Sequence, residues 1–563
     1  MSDRNDNDVV DDIVQHSRLA STGDDDRVES YLRSYFRHVD PADLDERRVE
    51  DLFGAAADHG RLALAWTPGT DTIVVRNPSV ETDGWENQHT VVMLVVDDLP
   101  FLVDSVTMEI TRQGHGIHLV VHPIMLDGRR ADLGITDPGT HPDVDGGLVS
   151  LIYLEIDKQS GEHELEAVEA GLHRVLCDVR AAVEDWQPMR DQALRIADEI
   201  QGSDLPVAPA DLAEGVEFLR WLADNHFTFL GYREYRLADV DGEESLCHVE
   251  GSGLGILRSP NGPTSRPLSD LPEAAQRQVH DPRLFNLTSA DSRATVHRAA
   301  FLEYVGIKIF DAGGAVIGEH RFLGLYSSQV FIRSVTEIPI IRRLVAEVRD
   351  RSGYPVNGHD EKRLLAILES YPRTELFQLT TDELFDTAMG IARLQERHRV
   401  RVFSRYERFG RFVSCLVFLP RERYNTDTRH GIQELLTEAF GGEVIDWDAR
   451  VTESVLARLY FTVACVNDGT EQVDTRDLEA RIATLIRMWD DDLASEIVDA
   501  FGEGLGIDRL HRYGRAFPQA YKVAFDPRAA VADIDNMESL DTKLGIGLSV
   551  YREPGLFSSS FKM

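Results

Sequence analysis

The stretch HTVVMLVVDDLPFLVDSVTMEITRQGHGIHLVVHPIML, His89 to Leu126, reads as strand, tight connection, helix, strand. Val91 to Val96 are apolar at every position, as in a strand buried on both faces of a covered sheet. Asp97-Asp98-Leu99-Pro100 ends that strand. Pro100 suits a first helical turn, where its missing N–H has no intrahelical partner. Val103, Val106 and Ile110 recur at helical spacing. Gly114 and Gly116 stop the helix, and Ile117 to Leu126 returns as a strand rich in β-branched residues. This βαβ unit is too small to bury its own core.

The chain around it has 563 residues, enough for about three to five domains. An apolar share of 42% is that of a globular protein. Lys and Arg number 59 against 97 Asp and Glu, a net charge of −38. That field repels nucleic acid and anionic membranes, so neither is expected as a partner. Cys177, Cys247, Cys415 and Cys465 lie far apart with no CxxC. No disulfide framework or zinc site is implied, and Cys415 and Cys465 read as core thiols. MSDRNDNDVVDD lacks the basic-then-apolar order of a signal peptide, and no apolar run is long enough to span a bilayer. A cytoplasmic location is expected.

Taken in order, 1–25 reads as a flexible start, loose or partly helical, and 26–200 as an α+β domain with flanking helices. Within it, Leu62 to Asn77 is expected to be a hairpin, and helices are expected on one face of the sheet. A second α+β domain, 201–350, follows a leading helix at Asp211 to Asn225. Its strands are expected at Phe227 onward, Ala294 to Ala300, Val305 to Phe310, Val316 to Leu325 and Val330 to Arg333. A helical linker fills 351–398, with Thr380 and Glu383 as a capping box. Residues 399–470 repeat the first pattern: strand Phe412 to Leu419, helix Thr426 to Phe440 stopped by Gly441-Gly442, then strands. One long helix, Leu478 to Phe501, is expected within a helical motif at 471–517. A strand at Tyr521 to Asp526, a helix at Pro527 to Ser539 and a strand at Gly545 to Tyr551 would begin a further unit at 518–563. Ending there predicts that the sequence is a fragment.

The chemistry is sparse. Gly251-Ser252-Gly253-Leu254-Gly255 has its third glycine one position early for a dinucleotide fingerprint and reads as a β-turn. There is no GxxxxGK[ST], HExxH or GxSxG. His115, His118 and His122 cluster, and His118 and His122 share a strand face. The turn Asp97 to Ser105 is the candidate binding site, with Asp97, Asp98, Phe101, Asp104 and Ser105 as its residues. A helix N-terminus there favours an amino acid's carboxylate, and aspartates take its ammonium group. Simple capping of the helix by Asp is the alternative.

DDLPFLVDSV (Asp97 to Val106), NHFTFLGYREY (Asn225 to Tyr235), GLYSSQ (Gly324 to Gln329), SYPRTELFQ (Ser370 to Gln378) and FLPRERYNT (Phe418 to Thr426) resemble, in order, segments of the large bacterial NAD-specific glutamate dehydrogenases. The resemblance implies tandem ACT-like (βαββαβ-type) domains and a PAS-like domain joined by helical segments, ahead of the dehydrogenase domain. It also implies homotetramers, and conversion of L-glutamate, NAD and water to 2-oxoglutarate, ammonium and NADH. The family's catalytic aspartate, substrate lysines and dinucleotide fold have no counterpart here. No catalytic residue is therefore carried over, and no NAD is expected on this segment. Effector-binding ACT domains usually place glycine after the proline of D-x-P-G. Here Phe101 follows Pro100, and its side chain would fill the pocket. The reading is a regulatory and assembly region with an amino-acid effector. The alternatives are a ligand-free scaffold and, were Met563 the natural end, a stand-alone amino-acid sensor.

Overall fold

The computed structural model describes residues 8–20, 25–128, 135–136, 147–259, 264–394, 397–465, 473–540, 549–552 and 559–562. The chain divides into two compact units, Met1–Ala392 and Arg393–Met563. In the first, strands Thr72–Arg76, Thr90–Asp97, Leu148–Ile156 and Ile117–Val121 lie side by side in that order, all antiparallel, with Ile124–Asp127 also on Leu148–Ile156. The two strands read as neighbours in the sequence are thus separated by Leu148–Ile156, which pairs with both.

Helices cover both faces of this sheet, not one as expected. Val91, Met93 and Val95 pack with Ile13, Leu32, Leu52 and Ala56 of the N-terminal helices. Val92, Leu94 and Val96 pack with Val106 and Ile110 of helix Leu102–Arg112, and with Val168, Leu172 and Val175 of helix Glu162–Glu184. Two covered faces account for the unbroken apolar run in an antiparallel strand. Of the start read as loose or partly helical, Asp8–Ala20 is a helix, with Ile13 and Val14 buried. The expected hairpin is one strand only, because Val49–Ala65 runs as a helix up to Trp66.

In the second unit the strand order is Arg401–Tyr406, Phe412–Pro420, Leu456–Cys465, Gly442–Arg450, again all antiparallel. Helices Thr426–Phe440 and Thr475–Leu485 lie on one face, where Val413, Cys415, Val417, Ile432, Leu436, Leu478 and Ile482 form the core. Both sheets therefore have the connectivity ββαββα, not βαββαβ. The outer strand beside the central one comes first in sequence instead of last. The positions are those of the expected sheet, and only the entry point of the chain differs.

Between them, helices Trp186–Gln201 and Pro209–Trp221 lead into strands Phe227–Val240, Glu243–His248, Phe285–Arg293, Phe301–Phe310 and Val316–Tyr326. Numbered in chain order, these five sit 2-1-5-4-3, all antiparallel. The strand expected at Ala294 to Ala300 is a turn instead, and Val330 to Arg333 belongs to helix Ser328–Ile332. Helices Ile341–Ser352, His359–Ser370 and Thr381–Ala392 follow. The capping box holds: Glu383 Oε2 accepts from Thr380 N at 2.8 Å, and Thr380 Oγ1 accepts from Glu383 N at 3.3 Å.

The single helix expected at Leu478 to Phe501 is two, Thr475–Leu485 and Trp489–Tyr513. Asp490, Asp491 and Asp492 open the second, and Asp491 Oδ2 accepts from Met488 N at 2.9 Å. Acidic residues in a first turn complement the positive N-terminal end of the helix dipole, and that start signal outranks the continuing apolar period. Tyr521 to Asp526 is not a strand: Gln519–Ala524 is a helix, followed by Pro527–Glu538. Of the strand expected at Gly545 to Tyr551, 545–548 lie outside the described residues, while Ser549–Arg552 pairs with Ser559–Lys562.

Candidate functional site

The turn between Thr90–Asp97 and Leu102–Arg112 does not gather its candidate residues into one pocket. Asp97 accepts from Gly69 N at 3.0 Å and from Arg180 Nη1 at 2.9 Å, and Arg180 also reaches Asp71 at 2.5 Å. Asp98 turns the other way and accepts from Ser150 Oγ at 2.7 Å, with His122 Nε2 3.2 Å from that same hydroxyl. Phe101, in the helix N-cap position, is left-handed at φ 70°, a conformation costly for a bulky side chain. Asp104 is exposed in the first turn. Ser105 is fully buried; its hydroxyl donates to Phe101 O at 2.6 Å and accepts from His297 N at 3.0 Å.

His297 belongs to the turn at 294–300. It too is left-handed, at φ 78°, and its ring lies 4.7 Å from that of Phe101. Burial and Arg298 lower its pKa. Val296, one residue earlier, is fully buried in the core shared with Val92, Leu94 and Val96. The turn read as a candidate binding site, at the carboxyl end of a strand beside a helix start, packs against the 294–300 turn of the next domain.

The histidine cluster also separates. His118 Nε2 lies 2.8 Å from Asp157 Oδ1 and its ring stacks on His89 at 4.0 Å, whereas His122 is held at Ser150. Beside His89, Glu155 is 1% exposed and takes Arg47, Asn87 and Tyr153 at 3.0, 2.8 and 3.1 Å. This buried carboxylate is matched by Arg47 and Asn87 from two other segments and by Tyr153 on its own strand, and serves the fold. Among the described residues no group of three or more His, Cys, Asp or Glu side chains is placed to hold a metal ion, and no helix is long and apolar enough to cross a membrane.

The glycine turn does not fit a dinucleotide. Gly255 N donates to Asp185 Oδ2 at 2.7 Å, so a carboxylate already stands where a pyrophosphate would have to approach. A Cβ at Gly253 would lie 2.3 Å from Leu257 O, so the space beside it is filled by its own turn.

The equivalent turn of the second sheet is open. Pro420 ends the central strand, Arg421–Arg423 is a single 3₁₀ turn, and Asn425 caps helix Thr426–Phe440 by accepting from Thr428 N at 2.8 Å. Behind this turn lies a cavity of about 820 Å³ lined by Arg399, Arg401, Arg423, Arg476 and Arg487, with Glu422, Glu479 and Asp491. The sequence reading passed over it. FLPRER looked like a family motif, and the arginines that join it come from 399–401 and from a helix more than fifty residues later.

Four family profiles match the chain: "Glutamate dehydrogenase, ACT1 domain" over 31–172, "helical motif 1" over 338–397, "ACT2 domain" over 401–490 and "helical motif 2" over 496–540. NAD-specific glutamate dehydrogenase of Halomonas elongata is 37% identical over 95% of this chain and 34% of its own length. That of Pseudomonas aeruginosa is 36% identical over 93% and 33%, and that of Mycobacterium tuberculosis 30% over 77% and 26%. The chain thus spans about a third of the length of the first two. It carries, in order, the ACT1, helical motif 1, ACT2 and helical motif 2 domains of the glutamate dehydrogenase family, and is similar over nearly all its length to NAD-specific glutamate dehydrogenases.

Proposed function

We propose that this chain is the regulatory and assembly region of an NAD-dependent glutamate dehydrogenase and performs no chemistry itself. The observation that carries the reading is similarity along 95% of the chain to an enzyme about three times as long, in a stretch made of ACT and helical-motif domains. The parent reaction is oxidation of L-glutamate by NAD with water, giving 2-oxoglutarate, ammonium and NADH. NAD then belongs to a catalytic domain beyond the chain, which agrees with the misfit of the Gly251–Gly255 turn. The partners are that domain and further subunits, in a homotetramer, within the cytoplasm.

The middle domain is PAS-like in this reading; the strand order 2-1-5-4-3 supports it. Its turn at His297 meets the ACT turn at Ser105 through one hydrogen bond and one ring contact, beside the core that the two sheets share. A joint of this kind lets a ligand on one domain bias the other, if it binds the two arrangements unequally.

A ligand-free scaffold is the second reading, favoured by the closure of the first turn by Phe101 and His297. Calorimetric titration of the chain with the common amino acids, beside light scattering, separates the two. Heat of binding for an amino acid supports regulation. Silence across the set with stable oligomers supports the scaffold.

A further inference from the structure

We infer that the arginine-lined cavity of the second ACT-like sheet is a binding site for a small multivalent anion, one bearing two or more carboxylate or phosphate groups. The inference rests on the regulatory reading only for what such binding would control.

Charge is the first argument. Five arginines and three carboxylates line the cavity, in a chain of net charge −38. A local cationic excess on so acidic a protein concentrates anions that the rest of the surface repels. Pairing is the second. Arg401 is taken by Glu479 at 3.1 Å and Arg423 by Asp491 at 2.8 Å. Glu479 is further committed to Val402 N, at 3.0 Å. Arg487 is held by Asp492 at 2.7 Å. Among the described residues, Arg399 and Arg476 have no ion pair. Arg423 Nη1 is buried without a hydrogen-bond partner, and an unmet buried guanidinium N–H is costly unless something fills its place.

Shape is the third. Arg476, Glu479, Ala480 and Ala483 fall on one face of helix Thr475–Leu485, and Arg487 follows just past its end. The two alanines stand between the arginines, and their small side chains create the space. The volume lies within the roughly 300–1,000 Å³ of small-molecule sites. The lining includes no Phe, Tyr or Trp, so it offers no aromatic stacking surface for a base and favours a compact anion. Guanidinium groups suit both carboxylate and phosphate because each accepts two parallel hydrogen bonds.

The test is calorimetry on the intact chain with inorganic pyrophosphate and, separately, succinate, at low and high salt. One site per chain is expected for at least one of them, weakening as salt is raised. Arg399 and Arg476 are exposed, so Arg399→Ala and Arg476→Ala remove charge without opening a core. Each is expected to weaken binding about tenfold. Ala480→Met, which intrudes on the cavity and keeps every arginine, is expected to weaken binding at least tenfold. Arg195→Ala, at a surface pair with Glu199 in the other unit, should change nothing. The inference is overturned if neither anion binds, if binding survives both Arg476→Ala and Ala480→Met, or if Arg195→Ala weakens it equally. Such a failure would leave the non-catalytic assignment standing, because that is read by NADH formation.

Discussion

Ser105 links two domains through a single hydroxyl. Removing it in Ser105→Ala leaves His297 N without its acceptor and should cost about 1–2 kcal/mol, read as a lower urea midpoint with an unchanged slope. His59 is a buried neutral group: Tyr35 OH lies 2.9 Å from Nδ1, and Nε2 donates to Leu94 O at 3.0 Å. Burial lowers its pKa to about 4. The unfolded chain therefore binds this proton first, and stability should fall as pH drops from about 6.5 toward 4. His320, also lowered to about 4 by burial, acts in the same window. His59→Gln should flatten that arm of a plot of melting temperature against pH. Glu303 works the other way. Burial raises its pKa to about 8, so the folded state keeps a proton that the unfolded state has lost, and stability falls as pH rises from about 4.5 to 8. Glu303→Gln should lose that slope, and an unchanged slope would contradict the assignment. Of all this the sequence showed only the turn. Its partner His297 lies 192 residues from Ser105, and nothing in the spacing of either segment announces the other.

At the scale of elements, the central strand was legible because six apolar residues in a row admit few other readings. What covers it was not: the N-terminal helix Asp8–Ala20 sits in an acidic, polar context that resembles a loose terminus. The strand Thr72–Arg76 is short and half-buried at every position, so its alternation was too weak to separate it from the helix before it. βαββαβ was expected because the family resemblance implied it, and ββαββα is found. The cavity was illegible for a related reason, since three separate segments supply its arginines. Close packing gives a further expectation. A Cβ on Gly442 would lie 2.0 Å from Ala464 O in the paired strand. Gly442→Val should therefore cost about 3 kcal/mol or more by forcing the sheet edge apart. Gly504, in a helix with nothing within 4 Å of its Cβ position, is the contrast: Gly504→Ala should stabilise by about 0.5–1 kcal/mol. Both are read by thermal unfolding.

Over the whole molecule, two sheets of one connectivity carry the same strand-to-helix turn to different ends. In the first, Phe101 and His297 close it into a joint. In the second, Pro420 to Arg423 stand before a cationic cavity. In the reading proposed above, the first turn serves assembly and the second binds a ligand. The central claim is the absence of chemistry in this chain, and NADH absorbance tests it most directly. The purified chain, given saturating L-glutamate and NAD, should form no NADH above a protein-free control. Sustained, glutamate-dependent NADH formation that scales with the amount of chain would contradict the account.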